Sequence, residues 1–151
     1  VVAIWGLETD FGTGTGKQSA LRALVTLAHD CRRTERFQNE LISALKILDR
    51  GDLTLSEMRG AWAGELGQTQ FLPSSYLKYA VDFDGNGKRD LIRSVPDVLA
   101  STANYLRGYG WQRGGSWQEG SANFNVLKEW NKSSVYQKTI SYFATQLASG
   151  E

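Results

Sequence analysis

The chain has 151 residues, a mass of 16.8 kDa and a net charge of +1, from 17 basic and 16 acidic residues. This length predicts one domain over residues 1–151, and the content of 41% hydrophobic and 11% aromatic residues argues against disorder. The balanced charge gives no net attraction for a nucleic-acid backbone, so nucleic-acid binding is not expected. No run is apolar enough for a transmembrane segment, and no export leader is visible. One cysteine, Cys31, and one histidine, His29, argue against a zinc or haem site, and no organic cofactor is expected.

Apolar residues recur at helical spacing, which predicts helices over 17–30, 34–50, 74–81, 94–106 and 134–147. The second of these should bury Phe37, Leu41, Leu45 and Leu48 and end at Gly51, a suitable helix-terminating glycine. Residues 54–57 match a capping box that opens a further short helix. Only residues 124–127 resemble a strand, and weakly. The sequence therefore predicts a mainly α fold.

Glu8 is a candidate acid in the segment 5–12, where apolar and aromatic residues surround it and glycines lie on both sides. Loss of solvation among such residues favours the protonated form of a carboxylic acid, which can donate a proton to a leaving oxygen. A solvent-facing glutamate at a helix end is the structural alternative.

A second candidate site is the glycine-rich bend over residues 60–70. Gln68, Thr69 and Gln70 offer neutral hydrogen-bonding groups that suit sugar hydroxyl or acetamido groups, and Glu65 is a second possible acid. A turn that satisfies its own backbone is the alternative.

The segment 82–90 matches the first half of an EF-hand calcium loop, with oxygen donors at loop positions one, three, five and nine and Gly87 at position six. The match fails at position twelve, where Arg93 replaces the usual glutamate. Asp97 can close the site if the loop is longer, or can form a capping box with Ser94. A metal-free turn is the other reading.

These segments together resemble the B-type family of lytic murein transglycosylases, which have a lysozyme-like helical fold. The similarity extends over about 4–147, and its most specific parts are 4–12, 62–64, 70–76, 79–87, 103–106 and 130–131, in the order of the family. The resemblance implies cleavage of the β-1,4 bond between N-acetylmuramic acid (MurNAc) and N-acetylglucosamine (GlcNAc) in peptidoglycan. A 1,6-anhydroMurNAc end would form, with Glu8 as the single acid and base and assistance from the substrate.

The resemblance also implies the other site residues. Substrate contacts fall on Gln70, Tyr105, Trp130, Asn131, Tyr136 and the pair Arg32 and Arg33. A structural Ca²⁺ would be held by Asp82, Asp84, Asn86, Asp97 and the carbonyl of Lys88. The two alternatives to the transglycosylase are a lysozyme-type muramidase and a non-catalytic peptidoglycan-binding module.

Three positions depart from the family pattern. Ala61 stands where serine is common, Arg36 falls near an expected aromatic residue, and Trp130 replaces a usual tyrosine. The resemblance further implies an N-terminal portion ahead of this segment, a periplasmic location with outer-membrane anchoring, and cell-wall synthesis enzymes as partners beside the glycan strands.

Overall fold

A computed structural model describes residues 1–30 and 32–150, so Cys31 and Glu151 lie outside the described residues. Within this part of the chain there are seven helices and one short antiparallel ribbon. The helices are α1 (Val2–Thr9), α2 (Ala20–His29), α3 (Thr34–Asp49), α4 (Pro73–Tyr79), α5 (Val95–Gly108), α6 (Ala122–Trp130) and α7 (Ser134–Ser149). The strands β1 (Gln18–Ser19) and β2 (Arg59–Gly60) pair Ser19 with Arg59 and Gln18 with Gly60.

The five helices predicted from hydrophobic spacing are confirmed, with boundaries that differ by at most three residues. The prediction of a strand over 124–127 is wrong, because these residues belong to α6, which buries Phe124, Val126 and Leu127. The prediction of a short helix that begins at Thr54 is also wrong. Only half of the capping box forms: the Glu57 carboxylate accepts the Thr54 N–H at 2.8 Å, but the Thr54 hydroxyl donates to that carboxylate and does not accept the Glu57 N–H, and the segment makes a single turn. The chain then extends because Arg59 pairs with Ser19 in the ribbon.

The buried face of α3 differs from the predicted one. Its buried residues are Phe37, Glu40, Ala44 and Ile47, whereas Leu45 is half exposed. The face is rotated because Glu40 caps α4: its two carboxylate oxygens accept the backbone N–H and the hydroxyl of Ser74 at 2.8 and 2.7 Å. A buried carboxylate therefore joins α3 to the start of α4. Gly51 has φ +76° after the end of α3, as expected of a terminating glycine.

The core is a layer of helices in which α3 packs between α2 and α4, while α1 packs against α7. Residues from all seven helices and the loops meet in it, among them Ile4, Leu24, Ile47, Leu66, Tyr76, Val98, Leu106, Leu127 and Ile140. The pairing of α1 with α7 joins the segment of Glu8 to the last helix. Among the described helices, none combines the length and apolar character that crossing a membrane requires.

The bend over residues 60–71 is held by its own backbone. Leu66 and Phe71 exchange two N–H···O bonds of 2.8 and 2.9 Å, and the Ala61 N–H donates to the Glu65 carbonyl at 3.3 Å. Gly60 is required here, since a Cβ atom at this position would lie 1.7 Å from the Glu65 carbonyl oxygen. This tight bend forms one wall of the site described next.

Candidate active site

Glu8 lies in the last turn of α1, and two donors from distant parts of the chain hold its carboxylate. Its Oε1 atom accepts the indole N–H of Trp130 at 3.1 Å and a short hydrogen bond from the Tyr136 hydroxyl. These residues are 122 and 128 positions away along the chain. Both donors meet the same oxygen, so Oε2 is the atom left for a ligand. The local neighbours Leu7 and Phe11 are each about 40% exposed, so they do not enclose the acid as the sequence suggested.

Gln68 fixes the helix that carries Glu8. It is buried, and its Oε1 accepts the indole N–H of Trp5 while its amide donates to the Ile92 carbonyl, both at 2.8 Å. The Gln68 carbonyl also accepts the Thr9 hydroxyl at 2.5 Å. Trp5 and Thr9, one helical turn apart, therefore both bond Gln68 and hold α1 against the 60–71 bend. Of the two interpretations of the bend, the structural one applies to Gln68 and Thr69, because both side chains are buried and Thr69 bonds the Thr102 hydroxyl.

Glu8 opens onto a cleft of about 670 Å³. The cleft is lined by Glu8, Arg36, Ala61, Glu65, Gln70, Phe71, Leu72, Ser75, Tyr105, Glu129, Trp130, Asn131 and Lys132. Three aromatic rings form its apolar side, where Phe71, Tyr105 and Trp130 pack edge to face with centroids 4.9 to 5.8 Å apart. Aromatic surface beside polar groups is the usual composition of a site for a polar organic ligand such as a sugar.

Gln70 enters the cleft from a strained backbone position. Its φ of +57° lies in the left-handed region, which is uncommon for residues other than glycine and costs energy that the surrounding structure must offset. Its amide nitrogen donates to the carbonyls of Gly67 at 2.8 Å and Thr15 at 3.3 Å. Because the nitrogen is used in this way, the amide oxygen is the group that can accept a hydrogen bond from a ligand.

The remaining predicted residues on this side of the molecule fall in or behind the cleft. Asn131 follows α6 and its side-chain oxygen accepts the Ser133 N–H at 2.9 Å. Tyr105 is 8% exposed and donates its hydroxyl to the Glu129 carbonyl at 2.6 Å, so it contributes ring surface more than a free hydroxyl. Tyr136 lies behind Glu8, where burial and then the negative charge of Glu8 raise the pKa of its phenol. It therefore remains a donor to Glu8 at any physiological pH.

Glu65 also reaches the cleft, so Glu8 is not its only carboxylate. The Ala63 N–H donates to Glu65 Oε2 at 3.1 Å, and Glu129 lines the cleft from α6. Two cations, Arg36 and Lys132, line the cleft together with the three carboxylates. Glu129 and Lys132 were not predicted as site residues. The only signal for them was their position next to Trp130 and Asn131.

Arg32 and Arg33 line a separate depression of about 200 Å³ with Phe37 and Trp62. Arg32 forms a bidentate pair with Asp30, with N···O distances of 3.1 and 2.7 Å. These hydrogen bonds lower the pKa of Asp30 to about 2. The guanidinium of Arg32 therefore already holds a carboxylate, and Arg33 is the member of the pair that faces the depression without such a bond among the described residues.

The segment 82–97 brings three carboxylates together. Oxygen atoms of Asp82, Asp84 and Asp97 lie within 4.8 Å of one another, and Asp97 is fully buried. The Asp97 carboxylate accepts the N–H groups of Phe83 and Asp90, each at 2.8 Å. Ser94 does cap α5 by accepting the Asp97 N–H, but the Asp97 side chain turns into the loop and does not complete a capping box.

Arg93, at the position where an EF-hand has its last ligand, points away from the carboxylate cluster. It pairs with Asp90 and Glu57 at 2.7 Å each. The other two predicted ligands lie in the exposed part of the loop, where the Asn86 side-chain oxygen accepts the Lys88 N–H at 2.9 Å. Three clustered carboxylates and an amide oxygen are the hard oxygen donors that Ca²⁺ prefers.

Comparison with known proteins identifies the family. The sequence profile of the Transglycosylase SLT domain matches residues 1–121. The chain belongs to this family. It is 43% identical over 116 residues to membrane-bound lytic murein transglycosylase B of Escherichia coli K12, which places it with the B-type lytic murein transglycosylases. That match covers 76% of this chain and 32% of the relative, so this transglycosylase domain spans about a third of the length of the curated relative.

Solved structures share the fold of this transglycosylase domain. SltB3 of Pseudomonas aeruginosa, in complex with NAG-anhNAM-pentapeptide, has a TM-score of 0.86 at 33% identity, covering 95% of this chain and 54% of that one. Slt35 of E. coli, in complex with calcium, has a TM-score of 0.88 at 26% identity, covering 99% and 65%. The lysozyme-like, mainly α fold expected from the sequence is thereby confirmed.

Proposed function

We propose that this domain is a lytic transglycosylase that cleaves the β-1,4 bond between MurNAc and GlcNAc in peptidoglycan and leaves a 1,6-anhydroMurNAc end. The observation that carries the proposal is the Glu8 carboxylate at the cleft, with Oε1 occupied by Trp130 and Tyr136 and Oε2 open to a ligand. The names of the relatives support it, since they are lytic murein transglycosylases, and one was crystallised with a muropeptide that carries an anhydro sugar.

In the proposed reaction Glu8 acts twice. Protonated Glu8 gives its proton to the glycosidic oxygen, and the bond between that oxygen and C1 of MurNAc breaks. The acetamido oxygen of the same sugar supports the positive charge at C1. Ionised Glu8 then takes the proton of the C6 hydroxyl as O6 bonds to C1, so no water is consumed and Glu8 ends protonated again. The two donors on Oε1 orient the carboxylate for both proton transfers.

The other cleft residues bind the glycan. The Gln70 amide oxygen accepts a hydrogen bond from a hydroxyl or acetamido N–H, and the rings of Tyr105 and Trp130 pack against a sugar face. Asn131 adds a polar group at the end of α6. Ala61 replaces the serine expected at its position, so that hydroxyl contact is absent from the proposed set.

A lysozyme-type hydrolase is the second candidate, and Glu65 is the observation that favours it. Glycosidases that use water or a covalent intermediate need a second carboxylate across the scissile bond, and Glu65 lines the same cleft as Glu8. We favour the transglycosylase because the E. coli relative is a lytic murein transglycosylase.

The test is digestion of purified peptidoglycan in water enriched in heavy oxygen, followed by mass spectrometry of the fragments. The transglycosylase reaction gives anhydro ends that contain no heavy oxygen. Reducing muramic ends that contain it would assign the hydrolase. Binding to insoluble peptidoglycan without any cleavage would assign a non-catalytic binding module. A Glu8→Gln sample run in parallel excludes a contaminating enzyme.

We also propose that the 82–97 segment holds a structural Ca²⁺ through Asp82, Asp84, Asn86, Asp97 and the carbonyl of Lys88. The clustered carboxylates support this, as does the calcium complex of E. coli Slt35. The two positive charges of the ion would offset most of the negative charge of the three carboxylates, one of them on the fully buried Asp97, and so stabilise the start of α5. Finally, we propose that the protein acts in the periplasm, where peptidoglycan lies, in line with the membrane-bound E. coli relative.

A further inference from the structure

Basic residues are concentrated around one exposed tryptophan. Lys17, Arg22 and Arg59 line a depression of about 610 Å³ beside Trp62, and no aspartate or glutamate is among its described lining residues. Trp62 is 66% exposed. We call this surface, formed by Lys17, Arg22, Arg59 and Trp62, the basic depression. Its charge contrasts with the net charge of only +1 on the whole chain.

The β1–β2 ribbon brings the three cations together. Arg59 on β2 lies opposite Ser19 on β1, and its Nη1 atom donates to the Lys17 carbonyl at 3.1 Å. Arg22 is in the first turn of α2, whose cap is Ser19. The helix N-terminus adds partial positive charge to the same place. Within 1–30 and 32–150 the ion pairs involve other residues, so these three charges are brought close without a compensating acid.

The basic depression and the catalytic cleft are lined by consecutive residues of the chain. Ala61 lines the cleft, and the next residue, Trp62, lines the basic depression. Trp62 also borders the smaller depression of Arg33.

We propose that the basic depression binds a carboxylate of the peptide attached to the glycan strand, an inference that rests on the function proposed above. A peptide ends in a carboxylate, which a guanidinium binds through two parallel hydrogen bonds. The ring of Trp62 packs against the aliphatic part of the peptide. The SltB3 relative binds muropeptides that carry a pentapeptide, so a peptide-bearing glycan is a suitable ligand class. The depression thus selects strands whose peptides carry free carboxylates.

The experiment compares two glycan strands that differ only in their peptides, which are free acids in one and carboxamides in the other. For the unchanged protein KM is lower for the free acid. Arg22→Gln raises that KM by about two- to fivefold, the range expected of an exposed ion pair, and leaves kcat and the carboxamide KM unchanged. High salt removes the preference. Arg113→Gln, an exposed arginine outside the depression, is the matched control.

Calorimetry with the same two strands and Glu8→Gln protein separates this inference from the proposed function, because it needs no cleavage. A preference for the free acid that Arg22→Gln abolishes supports the inference even if the reaction differs. Equal affinity of the protein for the free-acid and carboxamide strands overturns the inference. A change in affinity on Arg22→Gln that is equally large for the two strands also overturns it. If Arg22→Gln instead reduces binding to vesicles of anionic lipid and leaves both strands unaffected, the depression is a membrane-binding surface and the inference is wrong.

Discussion

The Glu8 carboxylate has two chemically different oxygens, because Trp130 and Tyr136 both donate to Oε1. An amide at this position keeps one oxygen that accepts both hydrogen bonds, but its nitrogen can neither deliver nor remove the required proton. Replacement of Glu8 by Gln is therefore a test of the chemistry with little effect on the fold.

We expect Glu8→Gln to lower kcat by about 10⁴, the upper end for general acid–base catalysis, since Glu8 serves in both halves of the proposed reaction. The melting temperature should stay within a few degrees. The matched control is Glu65→Gln, which alters a carboxylate in the same cleft and should retain most activity. If Glu65→Gln is the inactive variant of the two, the assignment of the acid is wrong.

We expect Tyr136→Phe to lower kcat by about ten- to a hundredfold, the equivalent of one hydrogen bond to a charged group. The ring and its packing remain, so KM and the melting temperature should change little. Steady-state kinetics on soluble glycan strands measure the effect. Tyr142→Phe, on the exposed side of α7, is the control. A variant that keeps full kcat would show that the Trp130 bond alone positions Glu8.

The sequence identified Glu8 and Gln70 as site residues but misjudged how Glu8 is held. Its expected apolar neighbours were those beside it in the chain, whereas its partners in the structure are Trp130 and Tyr136. The two glutamines of the 60–71 bend show the same limit. Gln68 is buried and structural while Gln70 faces the cleft, and composition alone does not distinguish them. Side-chain direction in an irregular bend depends on backbone angles such as the positive φ of Gln70.

At the scale of elements, hydrophobic spacing was sufficient for the long helices α2, α3, α5 and α7. It also found the seven-residue α4, but it failed for α1 and α6. α6 has only nine residues, and its apolar cluster at 124–127 was mistaken for a strand. α1 was not predicted as a helix, because eight residues with few polar positions show no clear stripe. In both cases packing against α7 fixes the helix, and this contact is not visible in a local window.

The 82–97 segment joins the loop after α4 to the start of α5, so ion binding there should stabilise both. Adding Ca²⁺ to chelator-treated protein should raise the melting temperature. At a hundredfold excess of Ca²⁺ over Kd, the free energy of unfolding should increase by about 2.7 kcal/mol, and Mg²⁺ should have far less effect. Asp82→Ala should abolish the rise, whereas Asp49→Ala, at the end of α3, should preserve it. Absence of both heat and thermal shift at about 1 mM calcium would identify the loop as a metal-free turn.

At the scale of the whole molecule, buried phenols make stability depend on alkaline pH. Burial raises the pKa of Tyr76, Tyr105 and Tyr136 above the ordinary value near 10. The unfolded chain releases these protons near pH 10 while the folded chain retains them. The free energy of unfolding is therefore unaffected below that pH and falls as the pH rises above it.

Alkaline titration followed by the absorbance of ionised phenol measures this directly. We expect Tyr76, Tyr105 and Tyr136 to ionise only as the chain unfolds, as monitored by circular dichroism. Tyr76→Phe and Tyr136→Phe should each make the decline in stability above pH 10 less steep. Ionisation of all six tyrosines near pH 10 in a chain that remains folded would contradict the expectation.

The separation of Glu8 from Trp130 and Tyr136 by more than 120 residues has a kinetic consequence. Contacts between residues this far apart require closure of a long loop, and such contacts form late and slow the folding of a domain. Regain of catalytic activity after dilution from denaturant should therefore lag behind regain of helical signal. A nascent chain whose α7 is still inside the ribosome should have no activity, even though α2 to α5 can already pack on one another.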